Sequence, residues 1–590
     1  MADSMFAPLF AEINPDHIRG GWRMVAAARA SRSRSPVRVV AARRLLESWA
    51  RGHNSTREVW YHADGHVEDG NRNPTFLRFA KLASVGNEKN VFRNMVALLQ
   101  TCGIPQLVHV IPEECTVTHT LPPTVIFSLL HRSNRDQFGR SFGAYRSKLK
   151  EFWAGLFSSV DGIELRSLHR FLRGRSPEDL STSIPLMFHE DEGPFSKTKS
   201  TNLLSWGSIV SIGDELETRF VVSSNVSVKG IDAMESRASW QEFFNEMDLL
   251  ASGRDSKGEP LALDADGVSW AGILLFSQSD FEKHASWGLG NFRSALTPCQ
   301  SCCANRLDVP LTDLRPNAAW RPTSVMTDVQ YRSRCLKPHP LQASHYFNRF
   351  LVRFDVMHAV DHNGVAGSVM ASIIGYFLLY ERRLGTTRTL RLEAISTRMA
   401  AFYSTTAVSS RLPALKIQNI FPKGTSSWAA MHGPAVKAAN VRCTVPFLEI
   451  LCNEFCGDSV EHVAMKRLTA ALCTFYDIIY DGSYFLADAS LERLDDALND
   501  VGRYMMLLRE FSRVRQDFLF QVVPKCHYMQ HLGEQSRLIN CRRVQCYISE
   551  SLVGKIAQIW SSSNDGPHAS SIQCTALIKY ILLLVLQLHL

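Results

Sequence analysis

The sequence lacks an uninterrupted apolar run of the ~20 residues that a membrane-spanning helix needs. Its most apolar run, "ALIKYILLLVLQLHL" at residues 576–590, is interrupted by Lys579. We therefore expect a buried terminal helix or strand there, and no membrane partner.

The 14 cysteines are scattered, without the dense spacing of a secreted disulfide scaffold, and no basic-then-apolar leader opens the chain. These features predict a reducing, intracellular compartment.

Acidic residues are scarce in the N-terminal part of the chain. From Arg19 to Arg51 there are nine arginines and a single acid, Glu47, and the whole chain has a formal net charge of +8. Such an arm can hold phosphate groups by releasing their counterions, which suits a DNA partner. A nuclear targeting signal or a disordered tail explains the same composition, so these interpretations stay open.

The composition is otherwise that of a globular protein. The chain has 590 residues, 45% of them hydrophobic and 21% charged, which predicts about two to four packed domains. Short apolar runs separated by turns predict strands after about Ile184, whereas long runs with helical periodicity predict helices over residues 365–520. We divide the chain into a basic, irregular arm (1–80), a small mixed α/β domain (81–175), a strand-rich region with a Cys/His cluster (176–364), an all-α segment (365–520) and a last segment (521–590).

Three consecutive acids follow one of the predicted strands. In "PLMFHEDEGPF", which begins at residue 185, Glu190, Asp191 and Glu192 stand just before the break at Gly193 and Pro194. A strand that ends in acids can place a carboxylate at the edge of a sheet, where a metal ion binds. A solvated acidic loop is the alternative.

A second acidic site lies in "FDVMHAVDHNGVAG", where Asp355 ends a short apolar run. The helix predicted after it would bring His358 and Asp361 close to Asp355. The position again suits a metal ligand. Alternatively, Asp355 or Asp361 is an ordinary helix N-cap.

A third site follows the helical segment. His527 and His531 are spaced i and i+4, a pairing that zinc uses but that also lines packed helix interfaces. Glu550 opens a further helix, where the helix dipole favours an acid in any case. The order is therefore an acid on a strand, an acid after a strand, a long helical interruption and an acid on a helix. This order is typical of RNase H-like, integrase-like nuclease cores, in which three carboxylates hold two divalent ions beside a scissile phosphate.

Several motifs between about residues 185 and 580 carry a family resemblance. They are "DEGPF" with Trp206, "CQSC" with Cys335 and His339, "FDVMHAVDHNGVAG", "WAAMHGPAVKAAN", and "HYMQHL" with "YISESLVGKI". In this ordered set the chain resembles the transposases of CACTA-type (En/Spm-like) DNA elements, in the divergent form found in some protist genomes. The resemblance implies an α/β, RNase H-like catalytic core interrupted by a large all-α insertion.

The resemblance also implies a site and its cofactor. Asp191, Asp355 and Glu550 correspond to the metal-binding carboxylates and would hold Mg²⁺ or Mn²⁺. The Pro-Phe pair follows Asp191 one residue sooner than in the family pattern, so Glu190 or Glu192 remains an alternative first ligand. The expected activity is phosphodiester cleavage and strand transfer at transposon ends.

A structural zinc ion is a separate expectation. Cys299 and Cys302 form one Cys-x-x-Cys pair, and Cys335 and His339 are the next candidates along the chain. Together they would make a closed Cys3His site, in which Cys303 could replace one ligand. Ordinary buried thiols are the alternative.

The expected partner is DNA, both transposon ends and target, in the nucleus. Lys197, Lys199, Arg542 and Arg543 are candidates for contacting the phosphate backbone. Family members usually work as assemblies on paired ends, so the resemblance also implies a homo-oligomer, and no small-molecule substrate is expected. Two other functions stay open: a catalytically inactive, transposon-derived DNA-binding protein, and a helical interaction protein whose acids are caps and surface groups.

Overall fold

The structure is a computed structural model. It describes residues 109–112, 117–196, 199–228, 237–290, 296–324, 326–563 and 569–587, together with short stretches between residues 44 and 63. Most of the basic arm and Lys197 therefore lie outside the described residues. The protein is mixed α/β, 54% helical, with one small mixed sheet, which confirms the α/β class.

Six strands form the sheet, in the order β1-β2-β5-β4-β3-β6. Their bounds are β1 His109–Pro112, β2 Val117–Thr120, β3 Ser183–Pro194, β4 Lys199–Ser208, β5 Arg219–Val228 and β6 Ala271–Gln278. β3 pairs antiparallel with β4, and β4 pairs antiparallel with β5. The short apolar runs that predicted strands after Ile184 are confirmed as β3 to β6.

The described helices are numbered in chain order. They are α1 Pro123–Ser133, α2 Arg135–Phe142, α3 Arg146–Leu156, α4 Val160–Leu168, α5 Glu215–Thr218, α6 Arg237–Ser252, α7 Phe281–Ser286, α8 Asp328–Ser333, α9 Pro340–Ala343, α10 Val365–Tyr380, α11 Arg388–Thr405, α12 Ala438–Phe455, α13 Val460–Asp481, α14 Asp488–Arg515, α15 Pro524–Ser536, α16 Tyr547–Ser561 and α17 Ala569–Gln587. The helices predicted over residues 365–520 are confirmed as α10 to α14.

The chain divides into two compact units. Of the described residues, those within 1–150, 178–275 and 548–590 form unit 1, and those within 151–177 and 276–547 form unit 2. Unit 1 is therefore discontinuous. The chain leaves it at residue 151 and returns at residue 178, then leaves it again within β6 and returns with α16.

Unit 1 buries the apolar C-terminal run. The run forms most of α17, whose residues from Ala576 to Leu584 are buried, as the sequence analysis expected. The hydroxyl of Tyr580 accepts a hydrogen bond from the Val221 backbone N–H of β5 at 3.1 Å. When an apolar helix covers a sheet, apolar surface of both is removed from water. This burial stabilises the folded unit by roughly 25 cal/mol per Å² of apolar area.

Unit 2 is a helical bundle with a continuous apolar core that includes α10, α12, α13 and α14. In the described part of the chain, one helical stretch, Met357–Tyr380, is long and apolar enough to cross a membrane by length and composition. Its most apolar window is 72% buried inside the protein, as in the core helix of a packed bundle. The first residues of this stretch, Met357–Asp361, form a π-helical segment, a local geometry that often occurs at functional sites.

Candidate functional site

The acidic end of β3 packs against α16 within unit 1. Side chains alternate between the faces of a strand, so His189, Asp191 and Gly193 share one face. On this face, His189 Nε2 lies 3.6 Å from Glu550 Oε1. A Cβ added at Gly193 would lie 2.7 Å from Cγ1 of Val553, so α16 packs closely against the strand at this glycine.

A cleft of about 520 Å³ opens between the end of β3 and α16. Residues 191–195 line one side of the cleft, and Glu550 with the following turns of α16 lines the other. The structure therefore brings two of the predicted carboxylates, Asp191 and Glu550, to one cleft of unit 1. The third, Asp355, belongs to unit 2.

The hydrogen bonds along β3 distinguish the three candidate acids. Glu190 is 2% exposed, and its Oε1 accepts a hydrogen bond from Asn202 Nδ2 at 2.6 Å. Glu192 also lines the cleft but accepts a hydrogen bond from the Ser200 hydroxyl. Both partners lie on β4, whereas Asp191 shares the strand face that packs against α16. The geometry therefore favours Asp191 over its two neighbours as the residue that acts with Glu550.

Asp355 is buried in unit 2 and held by three polar contacts. Its Oδ2 accepts the backbone N–H of His358 at 2.8 Å and lies 2.8 Å from His358 Nδ1. Its Oδ1 accepts the backbone N–H of Cys546 at 2.7 Å. The bond to the His358 backbone is the capping role that the sequence left open for this acid. The carboxylate, His358 and Cys546 also each offer a donor atom within 4.8 Å of the others.

Asp361 is a second buried acid of unit 2. It is fully buried, and the hydroxyls of Tyr476 and Tyr547 both donate hydrogen bonds to it, the latter at 2.6 Å. Burial raises the pKa of Asp361 to about 7, although the two hydrogen bonds and the charge of Arg442 oppose the shift.

Two cysteines and two histidines form a compact, fully enclosed cluster in unit 2. Cys299 Sγ lies 3.3 Å from His531 Nε2, and Cys302 Sγ lies 3.3 Å from His527 Nε2. The two histidine Nε2 atoms are 3.1 Å apart. Four soft and borderline donors that converge at such distances can hold a metal ion such as zinc.

The surroundings of this Cys/His cluster support a metal-binding role. The backbone N–H groups of Ser301 and Ala304 donate to the sulfurs of Cys299 and Cys302, both at 3.4 Å. Glu534 Oε2 lies 2.6 Å from His531 Nδ1, so Nε2 is directed to the cluster, the arrangement that orients metal-binding histidines.

Electrostatics favour the thiolate form of one cysteine. Burial alone would raise the pKa of Cys299, but its bond with Cys302 and the charges of His531 and His527 hold that pKa well below the usual range. Burial likewise opposes protonation of His531, yet Glu534 and Cys299 raise its pKa to about 10. The thiolate is the form that binds metals.

The cluster differs from the predicted Cys3His set. Cys299 and Cys302 join His527 and His531, not Cys335 and His339. His339 Nδ1 instead accepts the backbone N–H of Leu341 at 3.1 Å and caps α9. Within the described ranges, neither Cys335 nor His339 belongs to a group that could hold a metal. The sequence contained both pairs, but Cys302 and His527 are 225 positions apart, so no local signal joins the pairs.

The basic residues proposed to contact DNA have internal contacts where they are described. Arg542 and Arg543 stack on the rings of Tyr480 and Tyr484, at 4.3 and 4.4 Å. Arg542 also donates to the Tyr480 carbonyl oxygen at 2.6 Å. These two guanidinium groups therefore anchor the segment before α16 to the end of α13 and to the residues that follow it. Lys199 begins β4.

No protein-family model matches this chain, and no curated protein matches its sequence significantly. The resemblance to CACTA-type transposases therefore remains a hypothesis that depends on the motifs alone.

Proposed function

We propose that the protein is a transposase-like enzyme that cleaves DNA at transposon ends and transfers the strand to a target, using divalent metal ions held by carboxylates. The observation that carries this proposal is the cleft of unit 1, which Asp191 at the end of a strand and Glu550 on a helix both line. Paired carboxylates on rigid elements are what hard divalent ions require.

The topology supports an RNase H-like core interrupted by a helical insertion. The strand that carries Asp191 lies inside the sheet, between β4 and β6. The chain leaves unit 1 near residue 275 and returns at residue 548, two residues before Glu550. The return of the chain to unit 1 just before Glu550 supports the proposal of a core that is interrupted by an insertion.

Asp191 and Glu550 would hold Mg²⁺ or Mn²⁺ in the cleft of unit 1. Asp355, the third acid that the resemblance implies, belongs to unit 2. A divalent ion bound in the cleft would activate water and stabilise the leaving oxygen of the phosphodiester. His189 is buried beside Glu550, and its Nε2 lies 3.6 Å from Glu550 Oε1. DNA is the expected partner, and the nucleus the expected location.

We propose further that Zn²⁺ occupies the cluster of Cys299, Cys302, His527 and His531. Four protein ligands complete a tetrahedral site, so this ion contributes to folding and not to cleavage. It would join the loop that contains Cys299 to α15, two segments far apart in the chain.

A nicking assay tests the enzymatic proposal. Purified protein is incubated with Mg²⁺ and duplexes that carry the terminal repeats of the element encoding the chain. We expect Asp191→Asn and Glu550→Gln each to lower the cleavage rate at least about 100-fold, while DNA binding persists. Glu192→Gln is the matched control, because Glu192 lines the same cleft but bonds toward β4, and it should retain cleavage. Binding without metal-dependent cleavage by the wild type would instead favour a DNA-binding protein derived from such an enzyme.

A further inference from the structure

A second group of metal-binding side chains lies in unit 2 and shares no residue with the Cys2His2 cluster. Asp355, His358 and Cys546 each offer a donor atom within 4.8 Å of the other two. Asp355 is 1% exposed and Cys546 is fully buried, while the His358 side chain is 12% exposed. Oxygen, nitrogen and sulfur donors therefore converge at a site that is largely screened from water.

The three donors are held by the backbone as well as by packing. Asp355 accepts the N–H of His358 and the N–H of Cys546, so one carboxylate ties the π-helical segment Met357–Asp361 to the residue before α16. Cys546 lies 191 residues from Asp355 in sequence, yet its backbone N–H is 2.7 Å from the carboxylate. Donors that are fixed before a metal arrives lose little conformational entropy when they bind it.

A further buried histidine interacts electrostatically with two of the three donor residues. His284 is fully buried, and within the described residues neither of its ring nitrogens has a hydrogen-bond partner. Its electrostatic neighbours are Asp280, Asp355 and His358. A buried imidazole without hydrogen-bond partners is unfavourable, and a bound water molecule is what commonly satisfies such a group.

We propose that Asp355, His358 and Cys546 form a second metal site that takes a borderline divalent ion, such as Zn²⁺ or Co²⁺, and leaves a coordination position for water. The ligand set decides the metal, because a thiolate and an imidazole favour such ions, whereas Mg²⁺ requires oxygen ligands. Three protein ligands are typical of sites that keep one position for water or substrate. The ion at Asp355 would then differ in kind from an ion at Asp191 and Glu550.

Metal content tests this site directly. The full-length protein is saturated with Zn²⁺, freed of loose ions by gel filtration and analysed by mass spectrometry of the metal. We expect Cys546→Ala and His358→Gln each to lose about one zinc ion per chain relative to the wild type, as expected for a site of three protein ligands. Cys541→Ala is the matched control, because Cys541 is equally buried five residues away but belongs to no metal-binding group of the described residues. It should retain the full complement.

A second measurement distinguishes the loss of the metal site from a general loss of folding in the variants. Co²⁺ replaces zinc, and the thiolate-to-cobalt absorption is compared between the wild type and His358→Asn, which keeps every cysteine. Loss of part of this absorption in a variant with unchanged far-UV circular dichroism supports the site. Equal metal content and equal cobalt spectra for the wild type, Cys546→Ala and His358→Gln would overturn it. The inference does not depend on DNA cleavage: a protein that never nicks DNA still supports it by losing one ion on substitution.

Discussion

At the scale of single residues, burial gives similar side chains different chemistry. Asp191 lies at an open cleft, whereas Asp361 is enclosed and receives two tyrosine hydroxyl bonds. An enclosed carboxyl group resists ionisation, because the charged form loses its hydration. Asp361 is therefore expected to link the stability of unit 2 to pH.

Asp361→Asn should remove a pH dependence of stability. The pKa of Asp361 is about 7 in the folded protein and about 3.9 in an unfolded chain. The folded state therefore binds the proton more tightly. The protonated Asp361 carboxyl group makes its full contribution to the free energy of unfolding below about pH 4. This contribution is lost as the pH rises through 7, by up to about 4 kcal/mol.

Urea unfolding of the wild type and Asp361→Asn at several pH values measures this effect. The free energy of unfolding of the wild type, relative to that of the variant, should fall between about pH 4 and pH 7. Two curves that stay parallel over this range would show that the carboxyl group does not titrate there.

At the scale of elements, the site of unit 1 depends on the close approach of α16 to β3. Gly193 permits this approach, because any Cβ there would lie 2.7 Å from Val553. On the helix itself, a Cβ at Gly554 would meet no atom within 4 Å. Adding a side chain should therefore lower the stability of the protein at Gly193 and raise it at Gly554.

Gly193→Val should destabilise unit 1 by about 1–3 kcal/mol, since the added methyl groups overpack the contact between strand and helix. It should also reduce metal-dependent cleavage, because Glu550 moves with the helix. Gly554→Ala is the matched control and should stabilise the protein by up to about 1 kcal/mol, the helix propensity gained. Chemical denaturation measures both changes, and a stable, fully active Gly193→Val would contradict the packing argument.

At the scale of the whole molecule, long-range contacts close large loops of the chain. Cys302 and His527 are 225 residues apart, and Asp355 and Cys546 are 191 apart. The entropy of closing such loops opposes folding, so an ion that binds only the folded form contributes directly to stability.

Zinc removal should therefore destabilise the protein. A strong chelator, or Cys302→Ser, is expected to reduce the free energy of unfolding by about 4 kcal/mol, the value for an ion present at a thousand times its Kd. Cys443→Ser, at a half-buried cysteine outside any metal-binding group of the described chain, should have little effect. Thermal unfolding with and without chelator makes the comparison, and identical transitions would exclude a structural ion.

The sequence by itself determined the local features of this protein. Apolar runs predicted β3 to β6, periodicity predicted α10 to α14, and the spacing marked Cys299 with Cys302 and His527 with His531 as pairs. These features depend on residues that lie close together in the sequence, so one sequence is enough to predict them.

Only the tertiary structure decided how the local features combine. It joined the two Cys/His pairs, separated Asp191 from Glu190 and Glu192 by the face that packs on α16, and placed Cys546 beside Asp355. The physical reason is that such contacts arise from packing between distant segments, and no local pattern records which segments meet.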